Sequence, residues 1–226
     1  MSIYEMKVVH GHVLMSIEGR SFIIDTGAGE RSVSREDRTL NLSGRNYPLA
    51  QNRTTLLDQV NELLLHNEHQ ADGILGLDVL RGKTWEFDFQ ANQILVDEAP
   101  RHNYDNSLPV EMGMTTFLNI QVNGTPCRAI LDTGAWVSYA TQRLTANIPS
   151  CGDLHDWSPT FGGDINTTKH AMNIQLGNRS FDDEAGRATQ LLNTTLQRLH
   201  ADYLIGITYW GFESCRLDLL NKRFEF

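Results

Sequence analysis

The chain contains the same short motif twice. Three apolar residues followed by Asp-Thr-Gly-Ala occupy residues 22–28 and again residues 129–135. A second match lies downstream, where residues 71–96 align without a gap to residues 201–226. An internal repeat of this kind predicts two similar structural units of about a hundred residues each, a common size for a domain. Any fold for this chain must therefore accommodate two copies of one unit.

The boundary between the two units lies in a polar segment. Residues 100–109 begin and end with proline and are mostly polar, which is typical of a linker. The sequence therefore predicts an N-terminal lobe at residues 1–99, a linker at residues 100–109 and a C-terminal lobe at residues 110–226.

Local patterns predict that both lobes are built mainly from strands. Residues 85–89 and their counterparts at 215–219 alternate apolar and polar side chains, as half-buried strands do. Gly19 and the Asn123-Gly124 pair predict the turns of two hairpins, each of which leads into one copy of the motif. The sequence thus favours a mostly β protein.

Two leucine-rich segments fit helices better than strands. The first, at residues 56–64, follows Thr55, which has the spacing of a capping box with Asp58. The second, at residues 191–199, is a weaker echo of the first. We interpret both segments as core packing.

Composition excludes several functional classes. Of the 226 residues, 40% are hydrophobic and 21% are charged, as in soluble globular proteins. The formal net charge of -9 argues against a nucleic-acid partner and against an anionic membrane surface. No apolar run reaches the length of a membrane span and no secretory signal is recognisable. We therefore expect a cytoplasmic location, with a processed precursor as the alternative.

The sequence predicts neither a metal site nor a cofactor. The pairs His10/His12 and His66/His69 have no companion cysteine or carboxylate at ligand spacing, which favours solvated histidines. The cysteines lack CxxC spacing, which favours separate reduced thiols. They are Cys127, Cys151 and Cys215.

Each copy of the motif is followed by an apolar-apolar-Gly element, which ends at Gly76 in the first lobe and at Gly206 in the second. One Asp-Thr-Gly is a weak signal, but two copies with matching surroundings are specific. The combination resembles the clan of pepsins and retropepsins, in which each lobe or subunit contributes one Asp-Thr/Ser-Gly loop and one such element behind it. The resemblance spans nearly the whole chain, which looks like a retropepsin dimer joined in one polypeptide. It implies a mostly β, bilobal acid-protease fold, with two pseudo-twofold-related, β-barrel-like lobes and a cleft between them.

The chemistry of this clan needs two aspartates. Carboxyl groups held about 3 Å apart cannot both ionise, so they share one proton and act as base and acid. We expect Asp25 and Asp132 to form this catalytic dyad, and the sequence leaves open which of them is the base. The remaining site residues support the dyad: Thr26, Gly27, Ala28, Thr133, Gly134 and Ala135 in the loops, and Gly76 and Gly206 behind them.

Each supporting residue type has a physical reason. Glycine at the third position of the motif lets the backbone turn sharply and lets the partner loop approach. Threonine at the second position offers a hydroxyl group, and the resemblance implies that Thr26 and Thr133 interlock across the pseudo-twofold axis. The alanine side chain at the fourth position cannot donate a hydrogen bond to the carboxylate. We therefore expect the dyad to keep its shared proton to higher pH and to work from mildly acidic to near-neutral pH.

The two lobes differ in the region that would cover a cleft. The second lobe is longer between its aspartate and its apolar-apolar-Gly element. The glycines in Phe161-Gly162-Gly163 would suit the tip of a single flap carried by this lobe, or else a plain surface loop. Residues 41–49 of the first lobe remain a rival flap.

The terminal segments have the character of strands. The resemblance implies that residues 3–9, 93–96 and 223–226 join the lobes in one sheet, whereas ordinary peripheral strands are the alternative. Trp136, directly after the second motif, either shapes a substrate subsite or packs in the core.

These observations predict an aspartic endopeptidase that acts on a peptide or protein substrate in extended conformation. One chain supplies both aspartates, so a monomer is sufficient, although independent lobes in a higher oligomer are a further alternative. The alternative from another class is a catalytically silent peptide-binding or regulatory module with the same fold. Both aspartates are retained, which favours the enzyme.

Overall fold

The structure, a computed structural model, consists mainly of strands. It describes residues 2–36, 38–51, 56–65, 69–158, 163–206 and 212–226. The N-terminal half contains β1 (Ile3–Val9), β2 (His12–Ile17), β3 (Arg20–Ile24), β4 (Val33–Ser34), β5 (Thr39–Leu42), β6 (Arg45–Pro48), β7 (Ala50–Gln51), α1 (Leu56–Leu65), β8 (Gly73–Leu75), α2 (Leu77–Leu80), β9 (Thr84–Asp88) and β10 (Gln93–Val96). The C-terminal half contains β11 (Ser107–Pro109), β12 (Glu111–Met112), β13 (Thr116–Val122), β14 (Thr125–Asp132), β15 (Tyr139–Ala140), α3 (Gln142–Thr145), β16 (Ser150–Ser158), β17 (Gly163–Leu176), β18 (Arg179–Arg187), α4 (Gln190–Arg198), β19 (Tyr203–Gly206), β20 (Ser214–Asp218) and β21 (Arg223–Glu225).

The repeat in the sequence is also a repeat in topology. In the N-terminal lobe, β2 and β3 form a hairpin, β3 runs parallel to β8, and β4 lies antiparallel to β8 and parallel to β7. In the C-terminal lobe, β13, β14, β19, β15 and β18 make the same set of pairings in the same directions. The hairpins turn at Glu18-Gly19 and at Asn123-Gly124, as predicted from Gly19 and the Asn-Gly pair; the left-handed backbone at Gly19, Asn123 and Gly124 suits glycine and asparagine.

One sheet joins the two lobes. Its central pairing is antiparallel, between β9 of the first lobe and β20 of the second. Strands β10 and β1 extend the sheet on one side, and β21 and β11 extend it on the other. The terminal segments therefore belong to the joining sheet, but β9 and β20, rather than the termini, pair across the boundary. Within the predicted linker, Ser107–Pro109 pairs with β21.

The two long helices pack against their own lobes. In α1, Leu57, Val60 and Leu64 are buried against a cluster that includes β2 and β3 residues. In α4, Leu192 and Leu196 are buried in a cluster of the C-terminal lobe. The interpretation of the leucine-rich segments as core packing is confirmed for these buried residues, whereas Leu191 of the second segment is exposed. Thr55 of the expected capping box lies outside the described residues. Among the described helices, none is long and apolar enough to cross a membrane.

The lobes differ most in one hairpin. In the N-terminal lobe, β5 and β6 form a short hairpin that is packed onto the core through Leu40, Leu42 and Tyr47. In the C-terminal lobe, β16 and β17 form a long hairpin whose first arm is mostly exposed over its initial residues. The short hairpin contains most of the rival flap at residues 41–49, and it belongs to the core of its lobe.

Candidate active site

The two copies of the Asp-Thr-Gly motif meet at the interface between the lobes. Each copy follows an apolar strand, β3 or β14, that pairs in parallel with the strand of the apolar-apolar-Gly element. Asp132 lies opposite Gly206, and the Asp25 N–H donates to the Leu75 carbonyl at 3.0 Å. Because parallel strands end at the same edge of a sheet, each lobe presents its aspartate at one edge, and these edges face each other.

Gly76 and Gly206 allow each loop to pack behind its aspartate. A Cβ atom on Gly76 would lie 2.4 Å from the carbonyl oxygen of Gly29, and one on Gly206 would lie 2.6 Å from that of Ala135. Neither position has room for a side chain. The Gly76 N–H also donates to the Ser32 hydroxyl at 2.8 Å, and this bond connects Gly76 to the segment that follows the first Asp-Thr-Gly loop.

The two threonines bond each other's loops across the interface. The Thr26 hydroxyl donates to the Leu131 carbonyl at 2.6 Å and accepts from the Thr133 N–H at 3.0 Å. In the reciprocal pair, the Thr133 hydroxyl donates to the Ile24 carbonyl at 2.7 Å and accepts from the Thr26 N–H at 3.0 Å. Both threonines are 0% exposed. These four buried hydrogen bonds lock the two loops together.

Each aspartate packs against the other lobe's glycine. A Cβ on Gly27 would lie 2.4 Å from Asp132 Oδ2, and one on Gly134 would lie 2.4 Å from Asp25 Cγ. The two carboxyl groups also lie close enough for each to affect the pKa of the other. Two carboxylates that share one site cannot both ionise freely, so one of them keeps a proton. The arrangement is therefore that of a proton-sharing pair.

Backbone groups hold both carboxyl groups in place. Asp25 Oδ1 accepts from the N–H groups of Gly27 and Ala28, both at 2.8 Å. Asp132 Oδ1 accepts from the Gly134 N–H at 2.9 Å. The Ala28 side chain has no donor, but its backbone N–H donates to Asp25. The fourth position of the first motif therefore still stabilises the charged form of the Asp25 carboxylate.

Burial raises the pKa of both aspartates. The pKa of Asp132 is raised well above its usual value by burial and then by the nearby charge of Asp25. The pKa of Asp25 is also raised by burial, but the Ala28 N–H, the hydrogen bond with Asp132, the Gly27 N–H and His12 oppose that rise. A pair in which one member ionises more readily keeps its shared proton on the other. A positive charge on His12 acts on Asp25 and would favour the charge on Asp25 and the proton on Asp132.

The long hairpin reaches from the C-terminal lobe to the N-terminal lobe. Asp156 on β16 accepts a hydrogen bond from the Tyr139 hydroxyl of its own lobe at 2.5 Å. The next residue, Trp157, packs against an apolar cluster of the N-terminal lobe, where Ala28 is also partly buried. Of the expected flap residues, Phe161 and Gly162 lie outside the described residues. Gly163 begins β17 with φ at +91°, a backbone conformation that favours glycine.

Sequence reasoning missed the polar residues that surround the dyad. His12 interacts with Asp25 and with Asp156, whereas its spacing from His10 suggests only a metal pair. Counting the hairpin register outward from the turn at Gly19 would have placed His12 opposite Asp25. No local pattern marks Asp156, because its partners come from other parts of the chain.

Trp136 packs against the turn between β1 and β2. A Cβ atom on Gly11 would lie 2.4 Å from the Trp136 ring, and the His10 ring lies 5.9 Å from it, measured between centroids. The tryptophan is half-buried, so it contributes both to packing and to the surface beside the dyad. Within the described part of the chain, no group of three or more His, Cys, Asp or Glu side chains could hold a metal ion.

Comparison with known proteins gives structural similarity alone. The chain matches no protein-family model and no curated protein. Its structure is similar to the crystal structure of an aspartic proteinase from Irpex lacteus, with a TM-score of 0.53 and 11% sequence identity over 99% of this chain and 96% of that chain. The expected fold class is thereby confirmed: the protein is mostly β and has the bilobal acid-protease fold.

Two viral structures are more distant in shape. The solution structure of simian foamy virus (mac) protease matches 40% of this chain and 86% of its own, with 12% identity and a TM-score of 0.30. The foamy viral protease-reverse transcriptase in complex with an RNA/DNA hybrid matches 44% of this chain, with 14% identity and a TM-score of 0.30. This chain covers only 10% of that second protein.

Proposed function

We propose that the protein is an aspartic endopeptidase that hydrolyses peptide bonds with a water molecule activated between Asp25 and Asp132. One observation carries the proposal: the two loops bring Asp25 and Asp132 together, with each carboxyl group packed against the glycine of the opposite loop. A purely structural pair of buried acids would be unfavourable, because burying a carboxylate is costly. Carboxyl pairs with strongly perturbed protonation are typical of catalytic sites.

In the proposed mechanism, the two members of the dyad have different tasks. In its charged form, Asp25 removes a proton from the water as the oxygen attacks the peptide carbonyl carbon. Protonated Asp132 donates to the carbonyl oxygen, so that a neutral tetrahedral diol forms. As the diol collapses, charged Asp132 takes back a proton from a diol hydroxyl, the C–N bond breaks, and Asp25 delivers its proton to the leaving amine nitrogen, which restores the starting protonation of the dyad. Such positioned proton transfers contribute about 10²–10⁴-fold each to the rate.

The long hairpin β16–β17 is the proposed flap, and it would cover an extended peptide or protein substrate. Its contacts with both lobes, through Asp156 in the C-terminal lobe and through Trp157 against the N-terminal lobe, support this assignment. We further propose that the chain corresponds to two retropepsin-like lobes joined in one polypeptide, because five strands of each lobe make the same pairings in the same directions. A monomer then holds the complete dyad.

Cleavage of an unfolded protein tests the proposal. The wild-type chain should cleave a reduced, denatured substrate, and Asp25→Asn and Asp132→Asn should each abolish cleavage. Asp105→Asn is the matched control, because Asp105 is exposed and lies in the linker. Binding of the substrate without cleavage by the wild-type chain would contradict the proposal and would support a silent peptide-binding module.

The pH dependence of cleavage is a second test. Because burial raises the pKa of both aspartates, the singly protonated dyad should persist into the mildly acidic to near-neutral range. The rate should therefore follow a bell-shaped profile in that range. A profile that peaks below about pH 3, near the lower limb of the pepsin dyad, would contradict the expected range.

A further inference from the structure

His12 lies opposite one of the two aspartates. Strands β2 and β3 pair antiparallel with Leu14 opposite Ile23. Continuing this register by two residues places His12, the first residue of β2, opposite Asp25. Directly opposed residues of an antiparallel pair project their side chains to the same face. The hairpin therefore brings an imidazole ring to the same face as the Asp25 carboxyl group.

The other lobe has a neutral residue at the equivalent position. Strands β13 and β14 pair with Phe117 opposite Ile130, so the same continuation places Thr115 opposite Asp132. The Thr115 hydroxyl donates to the Thr26 carbonyl at 2.9 Å, and it is therefore engaged with the opposite loop. The two aspartates thus differ in what faces them: a titratable ring on one side and a bonded hydroxyl on the other.

Groups from several elements face the His12 ring. Asp25 follows β3, the backbone of Gly134 follows β14, and Asp156 lies on β16; all three raise the pKa of His12. Burial has the largest effect and lowers this pKa, and the neighbouring His10 lowers it further, so the net shift is downward. Nδ1 of the ring is buried and has no hydrogen-bond partner among the described residues. His12 therefore takes up its proton at more acidic pH than an exposed histidine.

We propose that His12 is a positioning residue that, when protonated, stabilises the negative charge on Asp25, which makes Asp25 the base and Asp132 the acid. This inference rests on the peptidase function proposed above. A cation beside one carboxyl group breaks the symmetry of a dyad whose two loops are otherwise alike. His12 acts through Asp25 and needs no contact with the substrate.

Asp156 connects this arrangement to the long hairpin. It is held by the Tyr139 hydroxyl at 2.5 Å and faces His12 from β16. The protonated ring therefore has an acidic neighbour on the catalytic side and another on the hairpin side. These two carboxylates offset part of the cost of protonating a buried ring, and the downward net shift of the His12 pKa means that the cation forms towards the acidic end of the pH range.

The first test is the pH profile of kcat/KM for His12→Gln, which keeps a polar side chain but cannot become charged. Loss of the cation should raise the pKa of Asp25, so the low-pH limb of the profile should move to higher pH by about one unit, the lower end of the effect of a nearby opposite charge. His200→Asn is the matched control, because His200 is exposed and its φ of +51° suits asparagine. Its low-pH limb should superimpose on that of the wild type.

The second test does not require activity. NMR titration of the wild-type chain, with the His12 ring signal identified by its absence in His12→Gln, gives the pKa of His12 directly. In Asp25→Asn this pKa should fall by about one unit, because coupling between two titrating groups is reciprocal. The same titration of Asp105→Asn should leave the His12 signal unchanged.

The two tests separate the inference from the proposed function. If the wild-type chain does not cleave any substrate, the proposed function fails, and the NMR titration still measures the coupling of His12 to Asp25. If the chain cleaves and both aspartate variants are inactive, but the low-pH limb of His12→Gln superimposes on that of the wild type, the inference alone is overturned. An unchanged His12 pKa in Asp25→Asn overturns it as well. A uniform loss of rate without movement of the limb would indicate a structural role and would also contradict it.

Discussion

Replacement of Thr26 by valine tests whether the threonine interlock holds the two lobes in register. Valine is close to threonine in volume but has no hydroxyl group. The change removes the donor to the Leu131 carbonyl and the acceptor for the Thr133 N–H. The Leu131 carbonyl keeps a hydrogen bond from the Thr116 hydroxyl at 2.7 Å, so only the Thr133 N–H loses its partner in a fully buried site.

The magnitude follows from these two losses. One hydrogen bond whose acceptor keeps another donor contributes about 1 kcal/mol, and a buried donor left without a partner costs about 1–3 kcal/mol. We therefore expect Thr26→Val to lower the free energy of unfolding by about 2–4 kcal/mol, a large part of the roughly 5–15 kcal/mol that is typical of a folded protein. Activity should fall as well, because the interlock positions the dyad.

Urea unfolding followed by tryptophan fluorescence, together with kcat at a fixed pH, measures both effects. Thr26→Ser is the matched control: it keeps the hydroxyl and should retain most of the stability and the rate. The reasoning is refuted if Thr26→Val unfolds at the same urea concentration as Thr26→Ser and with the same slope. In that case the buried hydrogen bonds would not hold the loops together.

Three further changes test other parts of the site. Because the pKa of Asp132 is raised by burial, its contribution to stability is present below its ordinary pKa and is lost as pH rises through the raised value. Asp132→Asn should therefore melt at higher temperature than the wild type at pH 7, by about 2–4 °C for each kcal/mol gained in the free energy of unfolding, and the difference should vanish in acid. An equal melting temperature at pH 7 would count against the burial argument. Gly134→Ala places a Cβ 2.4 Å from Asp25 Cγ and should abolish cleavage. Its control, Gly19→Asn, lies at an open turn with φ of +79° and should leave cleavage intact. Equal cleavage rates for the two variants would contradict the close packing of Gly134 against Asp25. Phe224 is fully buried in the joining sheet, so Phe224→Ala should lower the free energy of unfolding by about 3–5 kcal/mol in urea, and a loss below about 1 kcal/mol would argue against this packing.

Much of the fold could be predicted because the motif and the segment downstream of it each occur twice in the sequence. Strands that lead into an Asp-Thr-Gly motif need local signals only: an apolar run, a turn at Gly19 or Asn123-Gly124, and glycines where loops must approach closely. The helical segment at α1 was equally predictable, because its buried leucines repeat with the period of a helix. These signals depend on residues that are near one another in sequence.

The pairing of strands in the joining sheet could not be predicted from local signals. The terminal segments were expected to join the lobes, and they do lie in the joining sheet, yet the pairing across the boundary is made by β9 and β20. The alternation of residues 85–89 and 215–219 predicts strands but does not specify their partners. Partner choice depends on which edges face each other once both lobes are packed.

The sequence by itself determined that two aspartates of this protein stand in matching loops on matching strands. Only the tertiary structure decided that the two are unequal. His12 faces Asp25 while Thr115 faces Asp132, and Asp156 reaches the same place from the long hairpin. The physical reason is that the ionisation of a buried carboxyl group depends on every charge and dipole within a few ångströms, and these come from segments far apart in the chain. A local motif places the two acids, and the packing of both lobes sets how each of them titrates.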